Sequence, residues 1–181
     1  DFWTMKKDEL YDIVEQLRGS QVVKGLKVLE IIRSPYIEPF KALYKKLEAD
    51  ATEAKDNCHF LASLQPHFLE LQQAEFTECA EKFKPIMHVL LLIWKHSAFY
   101  NTPPALALLV RMTCNEVIDK SREHLGGTGE LFGAEPKEAV EKIVQVLEVV
   151  KQLKYDYYVY YNLSKTQCES NPWMTDRGNM F

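Results

Sequence analysis

Five histidines, four cysteines and one glycine-rich string are the parts of this chain whose residue types could do chemistry. The histidines His59, His67, His88, His96 and His124 are scattered along it. A zinc centre would need Cys58, His59 and His67 to converge, or Cys79 and His88, and these spacings match no common site. Helix flanks and helix ends are the expected places for these imidazoles. Cys58, Cys79, Cys114 and Cys168 lie far apart with no C-x-x-C pair. With no secretory signal in view, they read as free, mostly buried thiols in a reducing compartment. Carboxylate pairs such as Glu78 and Glu81 fall in charge-rich helical turns and read as a solvated face. No Ser-His-Asp set is encoded, nor a cysteine beside a fixed base.

The string Gly126-Gly127-Thr128-Gly129-Glu130-Leu131-Phe132-Gly133 invites a test as a phosphate cradle. It lacks the Gly-Lys-Ser/Thr ending of a Walker loop, and it follows a helical pattern rather than a strand. It reads instead as a flexible connector over 126–135. The residues therefore predict no catalytic group, no metal site and no cofactor.

Any site would have to be positioned by helices, because the periodicity is helical nearly everywhere. Phe2 to Leu17 and Val22 to Ile32 form two short ones, parted by Arg18-Gly19-Ser20. From Phe40 the apolar positions run Phe40, Leu43, Leu47, Ala51, Ala54, Cys58 and Leu61, a three-four seam expected to point inward. Helical from Tyr36 to Ala62, this element would be about 40 Å long. Ile86 to Trp94 is apolar almost all round, as expected of a central helix, with Pro85 at its entry or at a kink. The next helix carries Leu106, Leu109, Val110, Val117 and Ile118 and stops at Gly126-Gly127. The last starts at Pro136 and runs to about Ser164. Its seam of Val140, Ile143, Leu147, Val150, Tyr157 and Tyr161, also expected to point inward, is flanked by Val146, Val149, Leu153 and Tyr160. These elements predict an all-α, elongated helical bundle with long antiparallel helices. Its segments are 1–125, a connector at 126–135, and 136–181 with the final helix and a C-terminal extension.

A formal net charge of -4 gives no electrostatic reason to expect nucleic acid. The longest apolar run, Val89 to Trp94, is far shorter than the roughly 18 residues a membrane span needs. Charged residues make up 27% of the chain, as in ordinary folded proteins. The chain opens on Asp1-Phe2-Trp3 without an initiator Met, which suggests a piece of something longer.

Two local features stand out. Phe99-Tyr100-Asn101-Thr102-Pro103-Pro104 joins two apolar helices. Thr102 or Asn101 is expected to cap the second helix, where the prolines need no donor partner. Tyr155, Tyr157, Tyr158, Tyr160 and Tyr161 crowd one helix, and Trp173 follows in Asn171-Pro172-Trp173-Met174. Five tyrosines in seven positions cannot all face one small core. Tyr155, Tyr158, Tyr160 and Trp173 are thus candidate partner contacts, since Tyr and Trp are favoured at interfaces.

Several of these landmarks occur in a recognisable order. Thr52-Glu53-Ala54-Lys55-Asp56-Asn57 precedes Phe60-Leu61; then come Ile93-Trp94, the corner at Asn101-Thr102-Pro103, Asn115-Glu116-Val117-Ile118 and finally Pro172-Trp173. In that order and spacing the chain resembles the N-terminal tail, or stem, of dynein heavy chains, most closely the axonemal outer-arm type. The resemblance implies a structural segment that helps hold heavy chains together, carries intermediate and light chains, and fixes the motor to its cargo or to an axonemal doublet. Neighbouring stem bundles would be partners too; nucleic acid and membrane would not. It implies a cytoplasmic, cytoskeletal place in the axoneme of a cilium or flagellum. The ATPase activity of the parent motor is not carried by these residues. A free-standing helical adaptor unrelated to motors is the rival reading. A helical-bundle enzyme would need inward carboxylate and Glu-x-x-His sets, which are absent from the sequence.

Overall fold

In the computed structural model, residues 2–168 and Trp173 are described, and they contain seven α-helices and no strand. The helices are α1 (Phe2–Leu17), α2 (Ser20–Ile31), α3 (Ile37–Gln73), α4 (Cys79–His96), α5 (Pro103–Leu125), α6 (Gly127–Gly133) and α7 (Pro136–Gln167), with a 3-10 turn at Phe76–Glu78. The all-α expectation holds. The chain divides into two compact units, Asp1–Leu61 and Ala62–Phe181, and the division falls within α3.

In the N-terminal unit, α2 ends by local chemistry. The Ser34 N–H donates to the Leu29 carbonyl at 2.9 Å, and the Arg33 N–H donates to Glu30 at 3.0 Å. That pair of bonds is a Schellman closure, which needs a left-handed residue, and Arg33 supplies it at φ 54° where glycine is usual. The buried apolar side chains of this unit are few: Trp3, Val14, Ile37, Ala51 and Ala54, with none from α2.

The α3 seam corrects an expectation. Only Ala51 and Ala54 of it are buried, while Leu43 is 56% exposed and Phe40, Leu47, Cys58 and Leu61 are half-covered. Periodicity marks a face, but its depth depends on what covers it, and here the helices available are α1 and α2, of 16 and 12 residues. Side-chain polar bonds supplement that thin core. The Arg18 guanidinium donates to Tyr44 Oη at 3.2 Å, to Glu48 at 2.9 Å and to Glu15 at 3.2 Å. Tyr44 donates to Glu48 at 2.7 Å, and Lys41 pairs with Glu30 at 2.6 Å.

The C-terminal unit is built around α4. Phe83, Ile86, Met87, Leu90, Ile93 and Trp94 are all fully buried, as expected of a central helix, although Leu92 of the same string is 40% exposed and Val89 half-buried. Pro85 lies inside the helix rather than at its start, so α4 begins six residues before it, at Cys79. The turn after α4 makes α4 and α5 antiparallel. In contrast, α4 and α7 run the same way. Thr77 and Ala80 sit beside Gln145, Val149 and Gln152, His88 beside Tyr160, and Lys95 donates to Gln167 at 3.4 Å. The antiparallel expectation thus holds for sequence neighbours, and α5 is the return leg that lets α7 lie parallel to α4.

At the end of α5, Gly126 adopts φ 75° and its N–H donates to the Arg122 and Glu123 carbonyls, the glycine stop that was expected. The flexible loop expected beyond it is instead helix α6. Glu130 folds back so that its carboxylate covers the Cα of Gly126, where any Cβ would collide with it. Leu131 is half-buried, which gives the short helix one anchored side chain despite its glycines.

Candidate interaction surface

The corner between α4 and α5 is held by three side chains, although not as helix capping would have it. Ser97 ends α4, and its hydroxyl accepts from the Tyr100 N–H at 2.9 Å. The Asn101 side-chain amide donates to the Trp94 carbonyl near the end of α4. Thr102 is the N-cap residue of α5 by position, yet no side-chain cap bond forms; its hydroxyl donates to the Phe99 carbonyl at 3.2 Å. The reason lies in the prolines. Pro103 and Pro104 have no N–H, and the Leu106 N–H is taken by the Thr102 carbonyl, so a single orphan donor, Ala105, is left in the first turn. A capping oxygen has little to satisfy there. Asn101 and Thr102 act backwards, on α4, and the Phe99 and Tyr100 rings meet edge to face at 5.0 Å.

The tyrosine cluster on α7 divides as its helical spacing requires. Tyr157 and Tyr161 are buried, Tyr158 and Tyr160 are half-buried, and Tyr155 is 61% exposed. Tyr160 lies edge-on to His88, and burial, then the neighbouring Asp156 carboxylate, push its hydroxyl pKa up. Trp173, expected at a surface, is fully buried edge-on to Tyr157 at 5.6 Å. Its backbone N–H donates to Ser164 Oγ at 3.1 Å, while that hydroxyl donates to the Tyr161 carbonyl at 2.7 Å. Asn171, Pro172 and Met174 lie outside the described residues. Asp156 is buried too, its carboxylate accepting from Gln152 at 3.0 Å.

Upstream on α7 the two apolar stripes exchange the roles predicted for them. Val149 and Leu153 of the flanking stripe are buried. Val140, Ile143, Leu147 and Val150 of the expected seam face outward with Val144, at 39–59% exposure. The seam was drawn at a 3.5-residue period, and a straight helix drifts about 20° per heptad from that repeat. Over the length of α7 the drift carries the buried side from Val149 and Leu153 onto Tyr157 and Tyr161. The result is an exposed ridge of five aliphatic side chains running toward Tyr155.

Chemistry-bearing residues do not gather. No group of His, Cys, Asp and Glu that could hold a metal occurs among the described residues. His124 is structural: it stacks on Phe76 at 4.4 Å and shares a 2.7 Å hydrogen bond with Gln145, tying α5 to α7. All four cysteines are free, as expected, but only Cys79 is buried and the other three are half-buried. Burial raises the pKa of the Cys79 and Cys114 thiols, which disfavours the thiolate. A shallow groove of about 230 Å³ between the start of α4 and α7 is lined by Thr77, Ala80, Gln145, Glu148, Val149 and Gln152 and holds no convergent catalytic set. No described helix is long and apolar enough to cross a membrane.

Residues 1–181 match the family model for the dynein heavy chain, N-terminal region 1. The chain belongs to the dynein heavy-chain family. It is similar to the flagellar outer-arm dynein beta chain of Chlamydomonas reinhardtii, 35% identical over 100% of this chain and 4% of that protein. It is 33% identical to dynein axonemal heavy chain 11 of Sus scrofa over 96% of this chain and 4% of that one. With the ciliary dynein beta chain of Tripneustes gratilla the identity is 37% over 83% of this chain and 3% of the relative. The chain thus spans about 4% of the length of the curated relatives it matches. The match lies in the N-terminal region of heavy chains, and it does not favour a free-standing adaptor unrelated to motors. Sequence reasoning missed the outward turn of the α7 ridge, whose only advance signal was a second apolar stripe beside the first.

Proposed function

We propose that this chain is a non-catalytic structural segment of a dynein heavy-chain tail, scaffolding assembly of the motor for microtubule-based movement. On this reading, 1–125, the joint at 126–135 and 136–181 form one continuous stretch of stem. It contributes to heavy-chain association, to intermediate- and light-chain binding, and to attachment of the motor to an axonemal doublet in a cilium or flagellum. ATP hydrolysis belongs to other parts of the parent motor. The observation that carries the proposal is the ridge of Val140, Ile143, Val144, Leu147 and Val150. It is a contiguous uncovered aliphatic strip along one helix, and such strips mark association sites. Tyr155, with the half-buried Tyr158 and Tyr160, extends the contact, and Trp173 braces Tyr157 beneath them.

The test is Ile143→Glu with Leu147→Glu in the full heavy chain. Both side chains are exposed, so helix content and unfolding midpoint of the 181-residue chain should hold while co-purification of neighbouring subunits falls by about 10-fold or more, the scale of a real hot spot. Undiminished co-purification would defeat the scaffold reading of this face. On the isolated 181-residue chain, calorimetry should detect no saturable ATP binding; a micromolar constant would overturn its non-catalytic assignment.

A further inference from the structure

The outward strip of α7 keeps a strict heptad. Val140, Ile143, Leu147 and Val150 stand at alternating steps of three and four, the a and d spacing, and Val144 fills an e position beside them. The next a position is Lys154 and the next e position is Lys151, both exposed. Neither makes an ion pair with a described residue. The d position that follows is Tyr157, which is buried, so the open heptads close at Lys154. At about 100° per residue, every one of these side chains from Val140 to Lys154 lies within about 60° of Leu147. The acids of α7 lie elsewhere: Glu141 and Glu148 are about 100–120° round the helix. Glu138, paired with Lys142 at 3.4 Å, and the buried Asp156 are on the far side. An aliphatic strip thus ends in two lysines with no acid of α7 beside them.

We infer that α7 is one strand of a two-helix coiled coil whose other strand is an amphipathic helix of a partner subunit, apolar along its face and acidic at one end, with Lys154 selecting that partner. The inference rests on the scaffold reading of this ridge and deepens it by naming the partner's chemistry. The occupant is a helix because the strip is narrow and offers anchors at i, i+3, i+4 and i+7, the pattern that a facing helix fills. From Val140 to Lys154 it runs about 21 Å at 1.5 Å per residue, four turns of a partner. A lipid surface takes a broader apolar face with Trp, Phe or Leu, and here four of the five aliphatics are β-branched. Lys154 supplies the choice. A lysine at a single a position admits a carboxylate opposite it and penalises an aliphatic or a second cation, because the ammonium would then be covered without a counter-charge. Lys151 repeats that demand at the rim. A second copy of α7 does not meet it: a parallel pairing sets Lys154 against Lys154, and an antiparallel one sets it against the Val140 end.

The probe is a synthetic helix of three heptads with Leu at its a and d positions, made in two forms that carry Glu or Lys at the residue facing Lys154. Titrated by calorimetry against the 181-residue chain, the Glu form should bind about 10-fold or more tightly than the Lys form, since facing like charges are costly. Lys154→Glu should invert the preference, Lys154→Arg should keep it, and Leu147→Glu should abolish binding of both forms. An inverted preference cannot come from misfolding, which would weaken both forms alike. In the full heavy chain, Lys154→Glu should reduce co-purification of the same neighbouring subunit that Ile143→Glu with Leu147→Glu releases, and Lys154→Arg should not. Equal binding of the two forms, or binding of neither, would overturn the inference. So would wild-type dimers that Leu147→Glu disperses in sedimentation velocity, which would make a second copy the occupant, or partition onto anionic vesicles in place of the peptide. If the double glutamate variant releases the subunit and Lys154→Glu does not, the scaffold reading stands and this inference fails. If the double variant releases nothing, it is the scaffold reading that fails.

Discussion

The two units share one helical grammar and are held together differently. Of the twelve largest fully buried side chains among the described residues, eleven lie in the C-terminal unit and only Asn57 in the N-terminal one. Burying an aliphatic or aromatic side chain contributes about 1.5–3 kcal/mol, so Phe83, Leu90, Ile93 and Trp94 alone dominate the cohesion of the C-terminal unit. The N-terminal unit has a short list of buried groups and relies visibly on exposed polar links such as Arg18 to Tyr44 and Glu48. Exposed links of that kind are screened by salt and add little in water. The difference teaches that apolar periodicity reports which side of a helix is available for burial, whereas cohesion depends on how many neighbours cover it.

The comparison breaks most readily at Leu90. Leu90→Ala in the α4 core should cost about 2–5 kcal/mol, whereas Leu43→Ala, on a side chain 56% exposed, should leave stability within about 0.5 kcal/mol. Urea unfolding followed by circular dichroism reads both, and equal losses would dissolve the distinction between the units. Next in size is Arg33→Gly. The left-handed backbone costs an L-residue about 1–2 kcal/mol, so glycine should stabilise the N-terminal unit by about 1 kcal/mol, seen as slower amide exchange in α2. No change would mean that other contacts of Arg33 offset the strain.

Smaller effects sharpen the corner. Asn101→Ala removes the bond to the Trp94 carbonyl and should cost about 0.5–1.5 kcal/mol, while Thr102→Ala, which removes only a bond to Phe99, should cost a few tenths. The reverse order of denaturation midpoints would restore Thr102 as a true cap. The smallest effect is electrostatic. The Arg18 guanidinium, then the Tyr44 hydroxyl, hold the Glu48 carboxyl below its ordinary pKa. A carboxyl with a lowered folded pKa stabilises the fold above its ordinary range, and that contribution is lost as pH falls through the folded value. In Arg18→Met the Glu48 carbon resonances should titrate at higher pH than in the wild type; an unchanged midpoint would show that the link is absent in solution.

Much of this architecture was legible in the residues. The all-round apolar string from Ile86 to Trp94 announced a central helix, Gly126 announced a stop, and Pro136 announced a start, because each depends on local chemistry. What escaped was set by distant neighbours. The inward side of α7 could not be chosen between two adjacent stripes without knowing where α4 lies. Helix α6 hid behind glycines that usually break helices, and the cap at Thr102 failed because the prolines beside it remove the donors that a cap would serve. The candidate surface was half legible: tyrosine crowding pointed to α7, but the exposed strip begins one to four turns earlier, and Trp173 is core.

The parallel course of α4 and α7 bears on how the chain emerges during synthesis. Lys95 meets Gln167 across 72 residues of sequence, so the apolar surface of α4 is finished long before the helix that covers it exists. At about 5–20 residues per second of translation, that interval is roughly 4–14 s. During it Phe83, Ile86, Leu90 and Trp94 lack the cover of α7, and a nascent heavy chain is open at this point to chaperones and to misplaced partners.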